Sequence, residues 1–493
     1  MQNNDLVKNE NYIRVSTSSA ISSELSVDMQ EADKIICASV RVVTLSKQVL
    51  NGKAKLFARA LFNLIYSTEE GLQNYESGAD LEFSFVNENL TEGALLRVEY
   101  QVSSVKAQKT QNGVTVSAVL VAEGVFHYSN SQSFVMGIEG AVCKKQTVDC
   151  LQALACAQAS CEQEGEKVFS QALKRVLYSE PRVIVKEAQC GINEIIVDGE
   201  VISELLICLQ NDRVVSESLT TPFRFEIECG DAMPEMPALA FAEVTSANYK
   251  IISEEESEKS VIVANYTLNL CGEVYERVQK TCVCDAFFTQ NESILQFGDT
   301  TFTQAVESVT ANKKCFGEAI CEKSNEEKLV SLVNSEINSL NYGFEAGQIN
   351  ISLVIKANLI TINEQGEYFS RVAELPVSVV LDAENPPLYL NVTKKWVTVS
   401  ENENKCFIEG ELLIEYVNGE TRLEKVVISA EAGEAKPADD SAIGVIFIGE
   451  GEDCWSVCKK VGVDEQTLRA QNPNLDFPAE KDCAVVVYKP ILE

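Results

Sequence analysis

Residues 50–56 read Leu50-Asn51-Gly52-Lys53-Ala54-Lys55-Leu56, which places an Asn-Gly step before a run of alternating apolar residues. Related stretches follow at 197–202 (Val-Asp-Gly-Glu-Val-Ile) and at 346–351 (Ala-Gly-Gln-Ile-Asn-Ile). Asn-Gly and Asp-Gly steps between apolar runs are typical of β-hairpins, because both central residues of a type I′ turn need positive φ. The sequence therefore predicts three glycine turns, at Gly52, Gly199 and Gly347, each of which opens a strand.

Each glycine is followed by the same succession of further strands. A strand of period two comes first, and a closing pair of strands follows it. The period-two strands are 81–85, 222–227 and 376–381, and the closing pairs are 95–102 with 113–121, 241–252 with 261–270, and 388–399 with 407–416. The repetition predicts a mainly β, multidomain chain with three β-rich, sandwich-like modules of one design.

Helical spacing of apolar residues occurs mainly between these modules. Val148, Leu151 and Leu154 stand at three-residue steps, and similar steps continue to Val176. This pattern predicts one or two linking helices over residues 144–178 and another helix over 326–340. The predicted division of the chain is module one at 1–142, a helical segment with module two at 143–300, module three at 301–428, a flexible acidic linker at 429–442 and a terminal unit at 443–493.

The last fifty residues follow a different pattern, with strand, helix, helix and strand in that order. Asp453 and Asp464 precede the two helices and are suitable N-caps, because a carboxylate can accept from the free amides of the first turn. Gly462 follows the first helix, where a left-handed residue is favoured. The Asn472-Pro473 step ends the second helix, because the residue before proline avoids the α region.

These residues resemble a LysM module. The match rests on Gly451, Trp455, Gly462 and the Asn-Pro-Asn stretch at 472–474. LysM modules are βααβ folds that bind N-acetylglucosamine polymers in a shallow groove between the loop before the first helix and the loop after the second. The resemblance implies the groove residues Gly451, Glu452, Asp453, Cys454, Asn474, Leu475, Asp476 and Phe477.

The first of these loops differs from the LysM pattern. The usual Gly-Asp-Thr-Leu reads Gly451-Glu452-Asp453-Cys454, so two carboxylates stand where the family commonly has one carboxylate and a hydroxyl. A neutral sugar gains little from a second charge that must be desolvated, whereas a basic protein surface is attracted to it. The sequence therefore leaves both a protein and a glycan open as the ligand.

The modules and the terminal unit together resemble the SipL-type spore morphogenetic proteins, whose repeat is called the SPOCS (spore coat) domain. The resemblance covers essentially the whole chain and includes Tyr66, the Pro222-Phe223 strand start and the segment 284–288 (Cys-Asp-Ala-Phe-Phe). It implies a non-enzymatic scaffold in the mother cell of an endospore-forming bacterium, which tethers the basement-layer ATPase of the coat to the forespore surface through the LysM module. The alternative is a peptidoglycan-binding protein of the spore cortex or cell envelope.

Charge and composition exclude several classes of partner. The 493 residues include 74 Asp and Glu against 41 Lys and Arg, a formal net charge of −33, which repels nucleic acid and anionic bilayers. No stretch approaches the ~18 consecutive apolar residues of a membrane span, and residues 1–11 lack the pattern of a signal peptide. We therefore expect a cytoplasmic chain with no membrane insertion.

The cysteine spacing and the absence of known catalytic motifs favour a binding protein over an enzyme. Seventeen cysteines in a chain without an export signal favour reduced thiols, and no Cys-x-x-Cys pair indicates a zinc site. No P-loop, dinucleotide fingerprint, Gly-x-Ser-x-Gly elbow or His-Glu-x-x-His is present. The sequence predicts a protein that is not an enzyme and needs no cofactor or metal, although a paired-carboxylate hydrolase stays open as a third class.

Overall fold

The structure, a computed structural model, describes residues 4–27, 33–69, 71–92, 96–110, 113–253, 259–324, 326–436 and 443–488. In these ranges the strands are β1 (Asn4–Val27), β2 (Lys34–Leu50), β3 (Lys53–Thr68), β4 (Gly71–Val86), β5 (Leu96–Thr110), β6 (Gly113–Ile138), β7 (Ala141–Phe169), β8 (Leu173–Cys190), β9 (Glu194–Leu209), β10 (Val214–Glu228), β11 (Ala238–Ser253), β12 (Ser260–Phe288), β13 (Asn291–Cys321), β14 (Lys328–Glu345), β15 (Gln348–Ile362), β16 (Tyr368–Asp382), β17 (Pro387–Asn402), β18 (Lys405–Ala435), β19 (Ile443–Ile448) and β20 (Cys483–Tyr488). The helices described in the same ranges are α1 (Cys454–Val461) and α2 (Glu465–Gln471). The mainly β fold predicted from the sequence is confirmed.

Strands β1 to β18, as far as the chain is described, form three sets of six that repeat one topology. In each set the second, third and fourth strands form a meander: β2-β3-β4, β8-β9-β10 and β14-β15-β16. The first, sixth and fifth strands pair in the orders β1-β6-β5, β7-β12-β11 and β13-β18-β17. Apolar residues from both groups of strands fill one core in each set. We refer to the sets as modules one, two and three.

The three modules close into a ring. The sixth strands β6, β12 and β18 contact one another, and the fourth strand of each module contacts the second strand of the next, in the pairs β4–β8, β10–β14 and β16–β2. Equivalent strands therefore meet at all three junctions, which gives the ring approximate three-fold symmetry. Val135, Val283 and Val427, one from each sixth strand, lie buried in one shared apolar cluster.

The linking helix predicted over residues 144–178 is wrong, because these residues lie in β7 and β8. In β7 the small residues Ala155, Ala157 and Ala159 occupy alternate positions against the core of module two. That spacing is the period of two expected of a strand. The high helix propensity of alanine and the leucines at three-residue steps favour a helix locally, and pairing with β12 along the whole strand overrides that preference.

The helix predicted over 326–340 is also wrong, because residues 328–340 lie in β14. This strand changes register with β15 between Leu329 and Ser331, between Leu332 and Asn334, and between Asn338 and Asn341. Each bulge adds a residue, so apolar side chains that share a face stand three or four residues apart instead of two. Bulges therefore give β14 the spacing of a helix.

The predicted linker over 429–442 is wrong in its first half. Strand β18 continues to Ala435 and pairs with β13 up to that residue. Ala430 is buried in the cluster shared by the sixth strands, where a small side chain fits between neighbouring modules. Residues 437–442 lie outside the described residues.

Two of the three predicted glycine turns are present. Gly52 has φ +74° between β2 and β3, and Gly347 has φ +78° between β14 and β15. The turn predicted at Gly199 is wrong, because Gly199 lies inside β9 opposite Val185 and Phe223. A Cβ at Gly199 would lie 2.4 Å from the carbonyl oxygen of Ile184 and 2.4 Å from the Phe223 ring. Glycine is required there by close packing.

Replacing Gly199 with alanine is expected to lower the free energy of unfolding by about 1–3 kcal/mol, because the backbone of Ile184 must move to admit a methyl group. The matched control is Gly343→Ala in β14, where nothing lies within 4 Å of an added Cβ. The control should change stability by less than about 0.5 kcal/mol. Chemical denaturation of the two variants measures the difference, and equal effects would contradict this account of Gly199.

Candidate functional site

Residues 443–488 form the terminal unit. Strands β19 and β20 pair antiparallel, from Ile443 opposite Tyr488 to Ile448 opposite Cys483, and helices α1 and α2 lie between them in sequence. Val457, Cys458 and Leu468 are fully buried in its core. The strand, helix, helix and strand order predicted from the sequence is therefore present.

The predicted helix ends are found at single-residue precision. The Asp453 carboxylate accepts a hydrogen bond from the Ser456 amide at 3.0 Å, and the Asp464 carboxylate accepts one from the Thr467 amide at 2.9 Å. Gly462 follows α1 with φ +73°. Helix α2 ends at Gln471 before the Asn-Pro step.

Asn472 has a structural role that the sequence reasoning missed. Its Nδ2 donates to the Leu468 carbonyl at 3.0 Å and to the Val486 carbonyl at 2.7 Å, and its Oδ1 accepts from the Val486 amide at 2.9 Å. One side chain thus ties the end of α2 to β20. The signal for this role is weak, since an asparagine before proline is also an ordinary helix stop.

The loop before α1 lies against the chain that follows α2. The Gly451 amide donates to the Ala479 carbonyl at 2.8 Å, and the Ala479 amide donates to the Glu452 carbonyl at 3.1 Å. Gly451 itself has φ +85°, a conformation that glycine adopts without strain. The first predicted groove segment is therefore tied to Ala479, two residues beyond the end of the second segment.

Both carboxylates of the first predicted loop are used within the unit. Glu452 lies 2.6 Å from the ammonium of Lys460, and this hydrogen bond lowers the pKa of the Glu452 carboxyl. Asp453 caps α1, and its hydrogen bonds to Ser456 lower the pKa of the Asp453 carboxyl. Cys454 is buried, and burial raises the pKa of its thiol. Of the four predicted residues here, none offers an uncommitted charged group.

The second predicted loop divides into two pairs. Leu475 and Phe477 pack against the core of the unit, and the guanidinium of Arg469 lies 5.5 Å from the centre of the Phe477 ring. Asn474 and Asp476 are exposed. These two side chains supply the polar groups that this loop presents to solvent.

The outer face of the two-stranded sheet was not anticipated as a site. Ile443 is 56% exposed, Val445 55%, Phe447 83% and Tyr488 53%, and the pairing of β19 with β20 places these side chains on one face. We call this set the apolar sheet face. A sequence signal exists: residues 443–448 are apolar or glycine at every position, whereas α1 and α2 can cover only one face of the strand.

Helix α1 packs against the end of β12 in module two. The indole Nε1 of Trp455 donates to Asp285 Oδ2 at 2.8 Å, and the Lys459 ammonium lies 2.8 Å from the same oxygen. The Phe287 ring meets the Trp455 ring edge to face with 5.3 Å between centroids, and Phe287 is buried in the core of the terminal unit. Burial raises the pKa of the Asp285 carboxyl, but the bonds from Lys459 and Trp455 outweigh burial and keep that pKa below its ordinary value.

Two further features bear on function. Neither helix in the described ranges has the length and apolar character that a membrane crossing requires. The described residues also contain no group of three or more His, Cys, Asp and Glu side chains placed to hold a metal ion.

Comparison with known proteins gives no family assignment. A scan against protein-family models, a search of curated proteins and a search of solved structures each found no match to the chain.

Proposed function

We propose that this chain is a non-enzymatic scaffold in endospore coat assembly, which tethers the basement-layer ATPase of the coat to the forespore surface through its terminal unit. The proposal places the chain in the mother-cell cytoplasm and at the forespore surface. It starts from the sequence resemblance to SPOCS repeats with a LysM module. The observation that carries the choice of a protein ligand is the apolar sheet face.

The apolar sheet face has the character of a protein-binding surface. Exposed apolar side chains that lie side by side favour a partner that buries them, and aromatic residues such as Phe447 and Tyr488 are enriched at protein interfaces. A glycan would leave Ile443 and Val445 without a matching apolar surface. The terminal unit therefore binds protein through this face.

The charge of the terminal unit adds a second constraint on the partner. Residues 443–488 contain eight Asp and Glu against four Lys and Arg. A partner with apolar side chains bordered by Lys or Arg would match both the apolar sheet face and the net negative charge of the unit. The partner surface on the ATPase should have that composition.

The test is capture of the purified basement-layer ATPase by the full chain. The double variant Val445→Ser, Phe447→Ser should weaken capture at least tenfold, because central apolar anchors carry about 2 kcal/mol or more each at interfaces. The matched control is Val86→Ser, Phe316→Ser, which removes an exposed valine and an exposed phenylalanine from the modules. Equal capture by the wild type and the Val445→Ser, Phe447→Ser variant would contradict the proposal.

The alternative function is binding of peptidoglycan, and one observation favours it. The loop before α1 is hydrogen-bonded to Ala479, just after the second predicted groove segment, and that segment presents Asn474 and Asp476 to solvent. Co-sedimentation with insoluble peptidoglycan, lost in Asn474→Ala but kept in the Val445→Ser, Phe447→Ser variant, would replace the scaffold proposal with this one. The two variants thus separate the two functions.

A further inference from the structure

The contact between α1 and module two raises the question of why the terminal unit lies on that module. The unit is not held by strand pairing, since β19 and β20 pair with each other in a sheet of their own. The chain leaves β18 beside the end of β12, where Lys436 bonds to the carbonyls of Gln290 and Phe288, and the unit then contacts β12 and Val142 of β7. Side-chain contacts with module two, above all those at the end of β12, therefore hold the unit in this orientation.

The three-fold character of the ring provides three equivalent places to compare. Phe134, Cys282 and Val426 share one buried cluster, and the next residues Val135, Val283 and Val427 share another. The sixth strand of each module then carries a register shift at the same place: after Val135 in β6, after Val283 in β12 and after Val427 in β18. These matches fix the alignment of the three strand ends residue by residue.

The alignment shows that the contact residues of module two are not repeated. Counting along the strands, Gly137 and Ser429 take the place of Asp285, and Glu139 and Glu431 take the place of Phe287. Glycine offers no side-chain acceptor for Trp455 and no charge for Lys459, and serine offers no charge. A glutamate in the place of Phe287 would bring a carboxylate into an apolar core, which costs free energy without a partner.

We infer that residues 284–288 form an interaction surface whose partner is the terminal unit of the same chain, and that this surface exists once in the ring. Lys459 and Trp455 donate hydrogen bonds to the Asp285 carboxylate. Phe287 packs in the apolar core of the terminal unit with Val457 and Cys458. Phe287 is 3% exposed while the terminal unit is docked. The inference goes beyond the proposed function and does not depend on the identity of any external partner.

Docking has a consequence for presentation of the terminal unit. It covers the face of α1 that carries Trp455 and Lys459, and it leaves the apolar sheet face open. A ligand that engages the apolar sheet face meets a unit held in one orientation on the ring. A ligand that binds the face of α1 with Trp455 must first separate the terminal unit from β12.

The experiment uses the full chain with a protease site placed within residues 437–442, cleaved after folding. After cleavage the terminal unit should still co-elute with the ring on gel filtration, because its contacts with Asp285 and Phe287 do not depend on the covalent link. Asp285→Ala and, separately, Phe287→Ser should release at least ten times more of the unit. The control Glu139→Ala, Glu431→Ala, at equivalent positions of modules one and three, should retain it like the wild type.

A second measurement guards against loss of folding. The chain has two tryptophans, so Trp396→Phe leaves Trp455 as the single indole probe. In that background Asp285→Ala should shift the Trp455 emission to the red and raise its quenching by acrylamide, while far-ultraviolet circular dichroism stays unchanged. Separation of the cleaved unit from the wild-type ring, or retention of Trp455 emission and of the cleaved unit in Asp285→Ala and Phe287→Ser, would overturn the inference.

Discussion

Alanine at Phe302 is expected to lower the free energy of unfolding by about 3–5 kcal/mol, the range found when a large buried aromatic side chain is truncated. Phe302 on β13 is fully buried and meets Phe134 of module one at 5.9 Å between ring centroids. Cys150 and Cys282 of module two belong to the same cluster. The truncation would therefore leave a cavity where all three modules meet. The three modules should be destabilised together, in a single unfolding transition.

The same strand supplies the control for this prediction. Phe316 is 71% exposed and stacks on Phe407 at the outer surface of module three. Phe316→Ala should cost less than about 1 kcal/mol, because little area is withdrawn from water at that site. Denaturant unfolding followed by circular dichroism compares the two, and a Phe302→Ala effect as small as that of Phe316→Ala would refute the assigned position of Phe302.

Valine at Lys394 is expected to lower the free energy of unfolding by about 3 kcal/mol, because it leaves the buried Glu204 carboxylate with one cation instead of two and removes a cation from the partly buried Glu180 carboxylate. The Lys394 ammonium lies 3.0 Å from Glu180 and 3.1 Å from Glu204 and donates to the carbonyl of Ser335. Its side chain is 7% exposed, and that of Glu204 is 10% exposed. The effect stays at the low end of the known range because Arg182, 2.7 Å from Glu204, remains.

The stability loss in Lys394→Val should depend on pH, because Lys394 affects the pKa of the Glu204 carboxyl. Burial raises the pKa of the Glu204 carboxyl, but Lys394 and Arg182 outweigh burial and hold that pKa below its ordinary value of 4.5. Stability from this carboxylate is therefore present above pH 4.5 and is lost as pH falls through the lowered pKa. The difference between wild type and Lys394→Val should shrink as the pH is lowered.

Lys395 is the matched control for Lys394. It pairs with Glu411 at 3.3 Å near the surface, and Lys395→Val should cost less than about 1 kcal/mol. Urea unfolding at neutral pH and near pH 4 measures both variants. Equal losses at Lys394 and Lys395, or a Lys394 effect that does not change with pH, would contradict the assigned network.

The terminal unit was the part of the fold most open to prediction, because its signals are local. Asp453, Gly462 and Asp464 act within three or four residues of their positions, so capping chemistry alone locates both helices. The module strands were harder. In β7 alanines favour a helix locally, and only pairing with β12, more than a hundred residues away, gives the strand its period.

The motif predicted that Glu452 and Asp453 lie in the loop before α1, but it did not predict what their carboxylates bond to. Glu452 and Asp453 lie where the resemblance implies, yet both carboxylates bond within the unit. That outcome depends on where Lys460 and Ser456 point, which the motif does not specify. The contact of Trp455 with Asp285 joins residues 170 positions apart, and no local pattern encodes it.

Carriage of all three modules on one polypeptide permits an arrangement that separate identical subunits would forbid. Val102, Val244 and Lys394 occupy equivalent positions in the three modules. They pair with Leu120, Leu268 and Leu412 respectively, and a bulge follows each of them in its strand. All three side chains line a single central cavity. A trimer assembled from copies of module three would bring three ammonium groups together there, whereas the fused chain carries one such group and two methyl-bearing neighbours. Covalent fusion has thus freed each copy to diverge at the place where the copies meet.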